Sequence, residues 1–366
     1  MIIIKKKLSF IYKYLVKQLF KIIYGEITFH KDTFQSTDIE IEKVKDTSLR
    51  DSDNLEYSIF KIKNGRVFTD YVENVAIISN NKIIDRISYQ QVSGELKSAN
   101  YNSVLYKGTP YFKKKIKGKI LVLTQGASGH KNYFHWLYDI LPKIKICSTN
   151  CDLKKIDYFY LANLEEYQKV SLEILGLNHI KIINSDKNRH LQADEIIGTE
   201  HPWYKSGFIL KEAEKLPSWI IKWVKNTFIN HGKKFECNDK VFIDRSESSF
   251  SHCQIQNNQE IIEFLKEKGF TSYKVGQLSL QNQIYLFNNA KIIVGAHGAA
   301  FANLAFCKEN TKIIEIKPKT HPNFVDKHIS KINNLNFNLI ETGDIKSKNE
   351  IKGDIFLKTS ELNKFL

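Results

Sequence analysis

Two doubly wound α/β domains are the fold that this sequence predicts, and three observations predict it. Short β-rich apolar runs alternate with helix-period segments from residue 119 to residue 316, which is the order of a parallel sheet covered by helices. Glycine-bearing turns follow some of these strands, as in βαβ units. The chain has 366 residues, which is long for one hydrophobic core. We therefore expect two Rossmann-like domains, preceded by a small β-rich element.

Changes in composition divide the chain into four segments. Residues 1–25 are predicted to form a basic amphipathic helix, and residues 346–366 a C-terminal tail. Between them, residues 26–205 form the expected N-terminal domain and residues 206–345 the expected C-terminal domain. The first of these domains opens with short apolar runs. They are separated by Asn64-Gly65 and Asn80-Asn81, which are hairpin signals. Residues 198–217 contain prolines, glycines and Trp203 and are typical of a connector.

The N-terminal helix has two possible partners. Its lysines at 13, 17 and 21 share one face, and the opposite face carries apolar residues, Leu8, Ile11, Leu15, Leu19 and Ile22. Lysines interrupt every apolar run, so the segment is neither a transmembrane span nor a signal peptide. An anionic inner membrane leaflet and the protein's own core are both plausible partners for the apolar face. The expected location is cytoplasmic, peripheral to the membrane in the first case.

Charge and cysteines limit the classes of function. The net charge of +15 is carried almost entirely by lysine, with only 5 arginines in the chain. The lysines are scattered and no nucleic-acid-binding motif is present, so nucleic acid is not an expected partner. The five cysteines have no zinc-site spacing and indicate a reducing compartment. The sequence predicts no metal site.

The stretch from Ala290 to Pro318 predicts a βαβ unit with a ligand site. A strand (291–294) leads to a turn with Gly295, His297 and Gly298, then to a small-residue helix (299–306) and a second strand (311–316). Glycines allow close approach to the backbone, and the amide groups that open the helix suit a phosphate. His297 adds a donor of a hydrogen bond or a proton. The alternative is a tight turn with a surface histidine.

Two further segments carry candidate residues. In NYFHWLYDILP (132–142), His135 and Asp139 lie one helical turn apart and suit a base and its orienting partner. In VFIDRSESS (241–249), a strand ends on Arg245 and Ser246, which suit a diphosphate. Each pair could instead be an ordinary surface contact. Glu315, which is expected beside the same crevice, could accept hydrogen bonds from a ribose or be an exposed strand end.

Together these segments resemble the family 61 glycosyltransferases, which include plant xylosyl- and arabinosyltransferases and protein O-linked N-acetylglucosaminyltransferases. The resemblance rests on NYFHWLYDILP, on IDRS (243–246), and on VGAHGAAFANLAF and IIEIKP between 278 and 318. It covers roughly residues 110–320. It implies a GT-B fold, with two domains facing a cleft, and inverting transfer from a nucleotide-sugar without a bound metal. One departure is Ala300-Phe301, where family members often have glycine and leucine.

The resemblance also implies roles for single residues. Asp139, oriented by His135, is expected to be the general base on the acceptor side, although His135 or His297 could take that role. The remaining residues are expected to hold the donor, with Arg245, Ser246, His297 and the turn on the diphosphate and Asn303 and Glu315 on the nucleoside. The complete donor set is Arg245, Ser246, Gln283, Gly295, His297, Gly298, Ala299, Asn303 and Glu315.

The function predicted from sequence is therefore transfer of a sugar from a nucleotide-sugar to a glycan or lipid-linked glycan hydroxyl. UDP-sugar is the expected donor, used as a co-substrate with no further cofactor, and surface polysaccharide biosynthesis is the expected setting. The competing interpretation is a non-catalytic basic protein that binds acidic polysaccharide or nucleic acid, with strongly salt-dependent affinity. A nicotinamide-dependent oxidoreductase is disfavoured, because no G-x-G-x-x-G follows a strand.

Overall fold

The chain forms two compact units. The computed structural model describes residues 2–31, 37–50, 55–69, 74–92, 94–124, 131–205, 207–246, 253–342, 344–345 and 353–366. The first unit comprises Met1–Glu165 and Leu177–Ile209, and the second comprises Glu166–Gly176 and Leu210–Leu366. The second unit thus includes a short helix from the middle of the N-terminal segment, in addition to the sequence after residue 209.

The first unit is built mainly of strands. Its helices are α1 (Ile2–Tyr24), α2 (Val104–Lys107), α3 (Tyr133–His135) and α4 (Leu141–Cys147). Its strands are β1 (Thr28–Phe29), β2 (Ile39–Lys43), β3 (Ser58–Lys63), β4 (Arg66–Phe68), β5 (Ala76–Ser79), β6 (Lys82–Ile83), β7 (Gln90–Val92), β8 (Glu95–Lys97), β9 (Lys114–Val122), β10 (Tyr158–Leu161), β11 (Lys181–Asn184), β12 (His190–Thr199) and β13 (Gly207–Phe208). Single 3₁₀ turns occupy Thr47–Leu49, Ala99–Tyr101 and Leu153–Lys155.

A single mixed sheet organises this unit. Within the described residues it has ten strands, with β12, β9, β10 and β11 parallel and β3 and β4 antiparallel to the other edge of β12. Apolar side chains of both parts share one core, which includes Phe60, Ile62, Val67, Ile120, Val122 and Ile196. The predicted separate β-rich element and wholly parallel sheet are therefore wrong for this unit, because the unpredicted strand β12 joins the two parts.

The two hairpin signals have different outcomes. Asn80 and Asn81 both have positive φ and form the two-residue loop between β5 and β6, as predicted. Asn64 also has positive φ, but β3 and β4 run one after the other along β12 rather than against each other. The Asn64-Gly65 hairpin is therefore wrong. These two residues form an irregularity between consecutive strands that share one partner.

The second unit contains a doubly wound parallel sheet. Its helices are α5 (Glu166–Ile174), α7 (Ser218–Phe228), α8 (Asn258–Glu267), α9 (Leu280–Asn289), α10 (Val325–Ile332) and α11 (Thr359–Asn363), and α6 (Ile209–Glu212) begins at the boundary. Its strands are β14 (Lys240–Ile243), β15 (Thr271–Tyr273), β16 (Ile292–Ala296), β17 (Lys312–Pro318), β18 (Asn336–Thr342), β19 (Asp344–Ile345) and β20 (Asp354–Ile355). Further 3₁₀ segments are Ala213–Lys215, Ile229–His231, Val275–Gln277 and Ala299–Phe306.

The strand order of this sheet locates a ligand-binding crevice. Its five parallel strands follow the order β15-β14-β16-β17-β18, which is 2-1-3-4-5 in chain order. In such sheets, the crevice lies at the carboxyl ends of the strands where the order reverses. Here that point lies between β14 and β16. From β14 the chain first continues to β15 on one side of it, and then returns to β16 on its other side. Asp244–Ser246 and His297–Gly298 come directly after these two strands.

The predicted tail from residue 346 is partly a core element. Of its described residues, Leu357 and Leu362 are fully buried in the same apolar cluster as Phe242 and Val294. Ile355 is also buried there and pairs its strand with Asp344–Ile345. The C-terminal segment therefore belongs to the second unit, because its leucines cover the apolar side of the parallel sheet.

Candidate active site

The first candidate site begins at the cap of a helix. The side chain of Asn132 accepts hydrogen bonds from the amides of Phe134 and His135 at 3.0 and 3.3 Å and starts α3. A π-helical turn, Trp136–Ile140, connects α3 to α4. Such turns insert a residue into a helix and are frequent at functional sites. His135 ends α3 directly before this turn, and Asp139 lies within the turn.

Asp139 is held by three donors. It is 1% exposed, and His135 Nδ1 lies 2.7 Å from its Oδ2. Trp203 Nε1 donates to its Oδ1 at 2.8 Å, and His201 Nε2 lies 3.5 Å from Oδ2. Both carboxylate oxygens are thus occupied from within the fold. Only His135 of this set has notable exposure, with 16% of its side chain accessible.

Electrostatics fix the protonation of this cluster. Burial alone would raise the pKa of Asp139, but the imidazoles of His135 and His201 outweigh burial and hold that pKa below its ordinary range. Burial lowers the pKa of His201 to about 4, although Asp139 opposes the shift. Burial likewise lowers the pKa of Lys143 to about 7, again against Asp139. Asp139 is therefore a buried carboxylate at neutral pH.

This geometry favours the alternative assignment of the pair, in which His135 is the base. A carboxylate with lowered pKa and both oxygens engaged is a weak proton acceptor. It is, however, well placed to orient His135 through Nδ1. Sequence analysis did not identify three members of this cluster, His201, Trp203 and Lys143. Trp203 is assigned to a connector by the sequence pattern, and β12, the strand that precedes His201 and Trp203, is not predicted.

The second candidate site starts where β14 ends. The Asp244 side chain accepts hydrogen bonds from the amide of Ser246 at 2.9 Å, from its hydroxyl at 3.1 Å and from Asn258 Nδ2 at 3.0 Å. Asp244 therefore fixes the turn that follows the strand. Ser246 is exposed in this turn, with its hydroxyl directed to Asp244.

Arg245 is brought to His297 by the register of the sheet. Ile243 in β14 pairs with Gly295 in β16, and each functional side chain follows two residues later. The guanidinium of Arg245 donates to the backbone carbonyl of His297. It also covers the backbone of Gly298, where an added Cβ would lie 2.6 Å from Arg245 Cζ. Any larger residue at 298 would have to displace this guanidinium.

Gly295 has a packing role between neighbouring strands. It lies inside β16, and an added Cβ would meet Ile243 Cβ at 2.9 Å. Its small size allows neighbouring strands to pack, and the approach of a ligand to its backbone stays a prediction. Asn303 and Gln283 are also internal. Asn303 Nδ2 donates to Gln283 Oε1 at 2.9 Å and to the carbonyl of Ala300 at 3.1 Å, and both residues are buried.

His297 is the centre of a buried charge cluster. Its Nδ1 lies 2.6 Å from Glu315 Oε1 and 2.9 Å from Asp326 Oδ2. The ring of His321 is 4.3 Å away between centroids. Burial alone would lower the pKa of His297, but the two carboxylates outweigh it and raise that pKa to about 9. His297 is therefore an imidazolium at neutral pH and unsuited to accept a proton.

Glu315 serves this histidine rather than a ribose. It is fully buried in the middle of β17, so the expectation of an accessible strand end is wrong. Burial raises its pKa, as does the charge of Asp326, while His297 lowers it. The buried Lys317 also belongs to the cluster and donates to the carbonyl of Asn323 at 2.7 Å. Two cations thus balance two carboxylates.

The cluster around His297 contains side chains that could bind a metal ion. Among the described residues, only His297, Glu315 and Asp326 form a group of three or more potential ligands with their atoms within 4.8 Å of one another. Glu315 Oε2 has no hydrogen-bond partner, and Asp326 Oδ2 faces the same imidazole Nδ1 that is bonded to Glu315. A divalent ion there would have to displace the imidazole proton and add charge beside Lys317. The balanced charges favour a protonated histidine over a metal.

Two further expectations concern the turns. Ala299 begins the 3₁₀ helix Ala299–Phe306 as predicted, and the amide of Phe301 donates to the carbonyl of Gly298 at 2.9 Å. The glycine-bearing turn at 126–130, before the His135 helix, lies outside the described residues. His297, Arg245, Gly298 and Ala299 thus lie together, as do His135 and Asp139, each group within its own unit.

Comparison with known proteins assigns the family. The model of the family described as Glycosyltransferase 61 matches residues 133–314, which include His135, Asp139, Arg245 and His297. No curated protein matches the chain. Solved structures give weak similarities. One is the dodecameric iron-containing heptosyltransferase TibC in complex with ADP-D-beta-D-heptose, with 12% identity, 73% of this chain and 77% of that chain covered, and a TM-score of 0.29.

The other is a flavo di-iron protein mutant from Thermotoga maritima, with 10% identity, 89% of this chain and 97% of that chain covered, and a TM-score of 0.23. Similarities at these TM-scores carry no argument about fold or function. The match to the family model does, because it spans about half of the chain and contains every residue of the two clusters except Glu315, Lys317, His321 and Asp326. The chain is a glycosyltransferase and belongs to the glycosyltransferase 61 family.

Proposed function

We propose that this enzyme is an inverting GT-B glycosyltransferase that moves a sugar from a UDP-sugar to a glycan or lipid-linked glycan hydroxyl in surface polysaccharide biosynthesis. The proposal rests on two clusters. One contains the cations Arg245 and His297 at the point where the strand order of the second unit reverses. The other contains His135, which is oriented by the carboxylate of Asp139. Inverting transfer needs both chemistries, because a proton must leave the acceptor while negative charge grows on the departing diphosphate.

The cluster around Arg245 and His297 suits the donor diphosphate. Arg245 presents a planar fork, and His297 carries a positive charge that two buried carboxylates maintain. The amides that open the 3₁₀ helix at Ala299 add donors at the same crevice. In this proposal, Glu315 and Asp326 do not touch the donor. They keep His297 protonated and oriented, with Nδ1 turned inward and Nε2 on the other side of the ring.

The Asp139 cluster suits the acceptor. When Nδ1–H of His135 donates to Asp139, the tautomer leaves a lone pair on Nε2. In the reaction, the acceptor oxygen attacks the anomeric carbon and the bond from that carbon to the diphosphate oxygen breaks. His135 Nε2 takes the acceptor proton, and Asp139 stabilises the imidazolium that results. The nucleoside diphosphate leaves with the electron pair of the broken bond.

A nucleotide-release screen tests this function. Purified full-length chain is incubated with UDP-, GDP- and CMP-sugars and a mixture of candidate glycan acceptors, with and without a chelator. We expect release of UDP that depends on acceptor and persists with the chelator, because Arg245 and His297 supply positive charge at the diphosphate. Loss of release on chelation would assign a metal to the reaction. Absence of release with every donor, together with salt-sensitive glycan binding, would favour a binding protein.

The protonation of His297 predicts a specific pH dependence of donor binding. Its pKa, raised to about 9, keeps the cation present at neutral pH and lets it be lost as the pH passes about 9. We therefore expect the dissociation constant of the UDP-sugar to be flat around neutrality and to rise above about pH 9. Titration calorimetry across this range measures it, with His297→Gln as the comparison.

In the His297→Gln variant, binding should be weaker at neutral pH and the part of the step near pH 9 that comes from His297 should disappear. The diphosphate of an intact UDP-sugar does not titrate near neutrality, but the uracil N3–H of the donor loses its proton in the same alkaline range. The difference between the two chains therefore measures the contribution of His297. A step near the ordinary histidine pKa of about 6.5 in the unmodified chain would mean that the carboxylates do not hold the proton.

A further inference from the structure

We propose that α1 binds the surface of an anionic lipid bilayer through an apolar face that the first unit leaves uncovered. Within residues 11–24, where side chains are described, Ile22 is 83% exposed, Leu15 60% and Ile11 53%. Four more large apolar or aromatic side chains of the helix are also exposed, namely Tyr12, Tyr14, Leu19 and Ile23. Contiguous exposure on this scale marks an interaction surface.

The opposite side of the helix is anchored to the first unit. Phe20 is 8% exposed, and its ring lies 5.5 Å from that of Phe112. The Tyr24 hydroxyl accepts from the amide of Lys113 at 2.9 Å, and its ring packs against His190 at 5.1 Å. Because these contacts are made on one side, Ile11, Leu15, Leu19 and Ile22 are left on the other by helical spacing. The anchoring therefore turns the apolar face outward.

Charge identifies the occupant of this face. Residues 1–24 contain six lysines and no acidic residue, and Glu26, which follows the helix, is paired with Lys21 at 2.7 Å. The uncompensated positive charge of the helix repels a second, equally positive copy and attracts anionic headgroups. Tyr12 and Tyr14 each combine an apolar ring with a polar hydroxyl, and such side chains are enriched at the interface of a bilayer.

The helix would lie on the bilayer, not cross it. No helix in the described part of the chain is both long enough and apolar enough to span a membrane. Basic amphipathic helices of this kind bury their apolar side chains at the boundary between headgroups and acyl chains. Lys13, Lys17 and Lys21 lie on the opposite face of the helix, where they still attract anionic headgroups that are within about one Debye length, ~10 Å. Attachment is therefore reversible and depends on lipid charge.

Vesicle co-sedimentation of the full-length chain tests this surface. Two vesicle types are compared, phosphatidylcholine alone and equal parts of phosphatidylcholine and phosphatidylglycerol. We expect binding to the mixed vesicles that weakens with salt, and little binding to phosphatidylcholine alone. Replacing Ile11, Leu15, Leu19 and Ile22 together with glutamine, a good helix former, should weaken binding roughly tenfold or more. The combined change of Lys13→Gln and Lys21→Gln should weaken it by about fivefold for each lysine.

The controls separate membrane binding from misfolding and from self-association. Tyr101→Gln, which changes an exposed aromatic residue (61% exposed) outside the helix, should bind vesicles as the unmodified chain does. Circular dichroism and donor turnover without vesicles should be unchanged in every variant. Equal binding by the four-glutamine variant and the unmodified chain would overturn the proposal. So would a dimer in light scattering that the same variant converts to a monomer, because the face would then be an interface between copies.

Discussion

A His135→Gln enzyme should transfer sugar between 10² and 10⁴ times more slowly than the unmodified enzyme, by the usual contribution of a positioned base, roughly 3–5 kcal/mol of activation free energy. Its affinity for the nucleotide-sugar should be unchanged, because the diphosphate is assigned to the cluster of the other unit. The kcat of transfer and the donor dissociation constant, measured separately, check both halves of this expectation.

Asp139→Asn identifies which member of the pair takes the proton. If Asp139 orients His135, the amide should also reduce kcat by roughly 10²–10⁴-fold, since it no longer stabilises the imidazolium. His231→Gln, which changes an exposed histidine of the second unit, is the matched control and should leave kcat unchanged. If His135→Gln keeps near-normal turnover while Asp139→Asn is inactive, the carboxylate is the base and the assignment made from burial is wrong.

Arg245→Ala should lower kcat/KM by about 10²-fold or more, because a charged hydrogen bond to the diphosphate is worth about 1.5–3 kcal/mol and strengthens as the leaving group gains charge. Unlike His135→Gln, this change should also weaken binding of free UDP. Arg245→Lys should recover only part of the loss, since lysine keeps the charge but not the planar fork. Titration calorimetry with UDP and steady-state kinetics measure the two effects.

The matched control for this residue is Arg50→Ala, which removes an exposed arginine from the first unit. It should change neither UDP binding nor kcat/KM. Since Arg245 covers Gly298, thermal unfolding of the Arg245→Ala enzyme should be followed as well. An unchanged UDP affinity in a folded Arg245→Ala enzyme would remove the diphosphate from this cluster.

The second unit was the more predictable part of the chain. Its strands carry continuous apolar runs, and its turns carry glycine or charge directly after them, so local pattern and tertiary position agree. The segment Ala299–Phe306 has the predicted bounds. Arg245 and His297 could be placed together from sequence because parallel strands end at one edge of a sheet.

The first unit was less predictable because its main strand lacks a clear period. β12 (His190–Thr199) combines apolar, polar and charged residues without regular alternation. It becomes recognisable only in the sheet, where one edge pairs with β9 and the other with β3 and β4. Missing that strand also hid His201 and Trp203, which follow it. Likewise, Asp326 lies on α10, distant in sequence from His297, and only tertiary packing brings its carboxylate to Nδ1.

The long sequence distance between β12 and its partners β3 and β4 also affects folding during synthesis. β3 and β4 leave the ribosome about 130 residues before the strand that fills their open edge, and only β2 and β5 are available as earlier neighbours. Such distant pairing slows folding and leaves an unsatisfied strand edge exposed to other nascent chains. During translation, aggregation is therefore a greater hazard for this half of the enzyme than for the half that is made last.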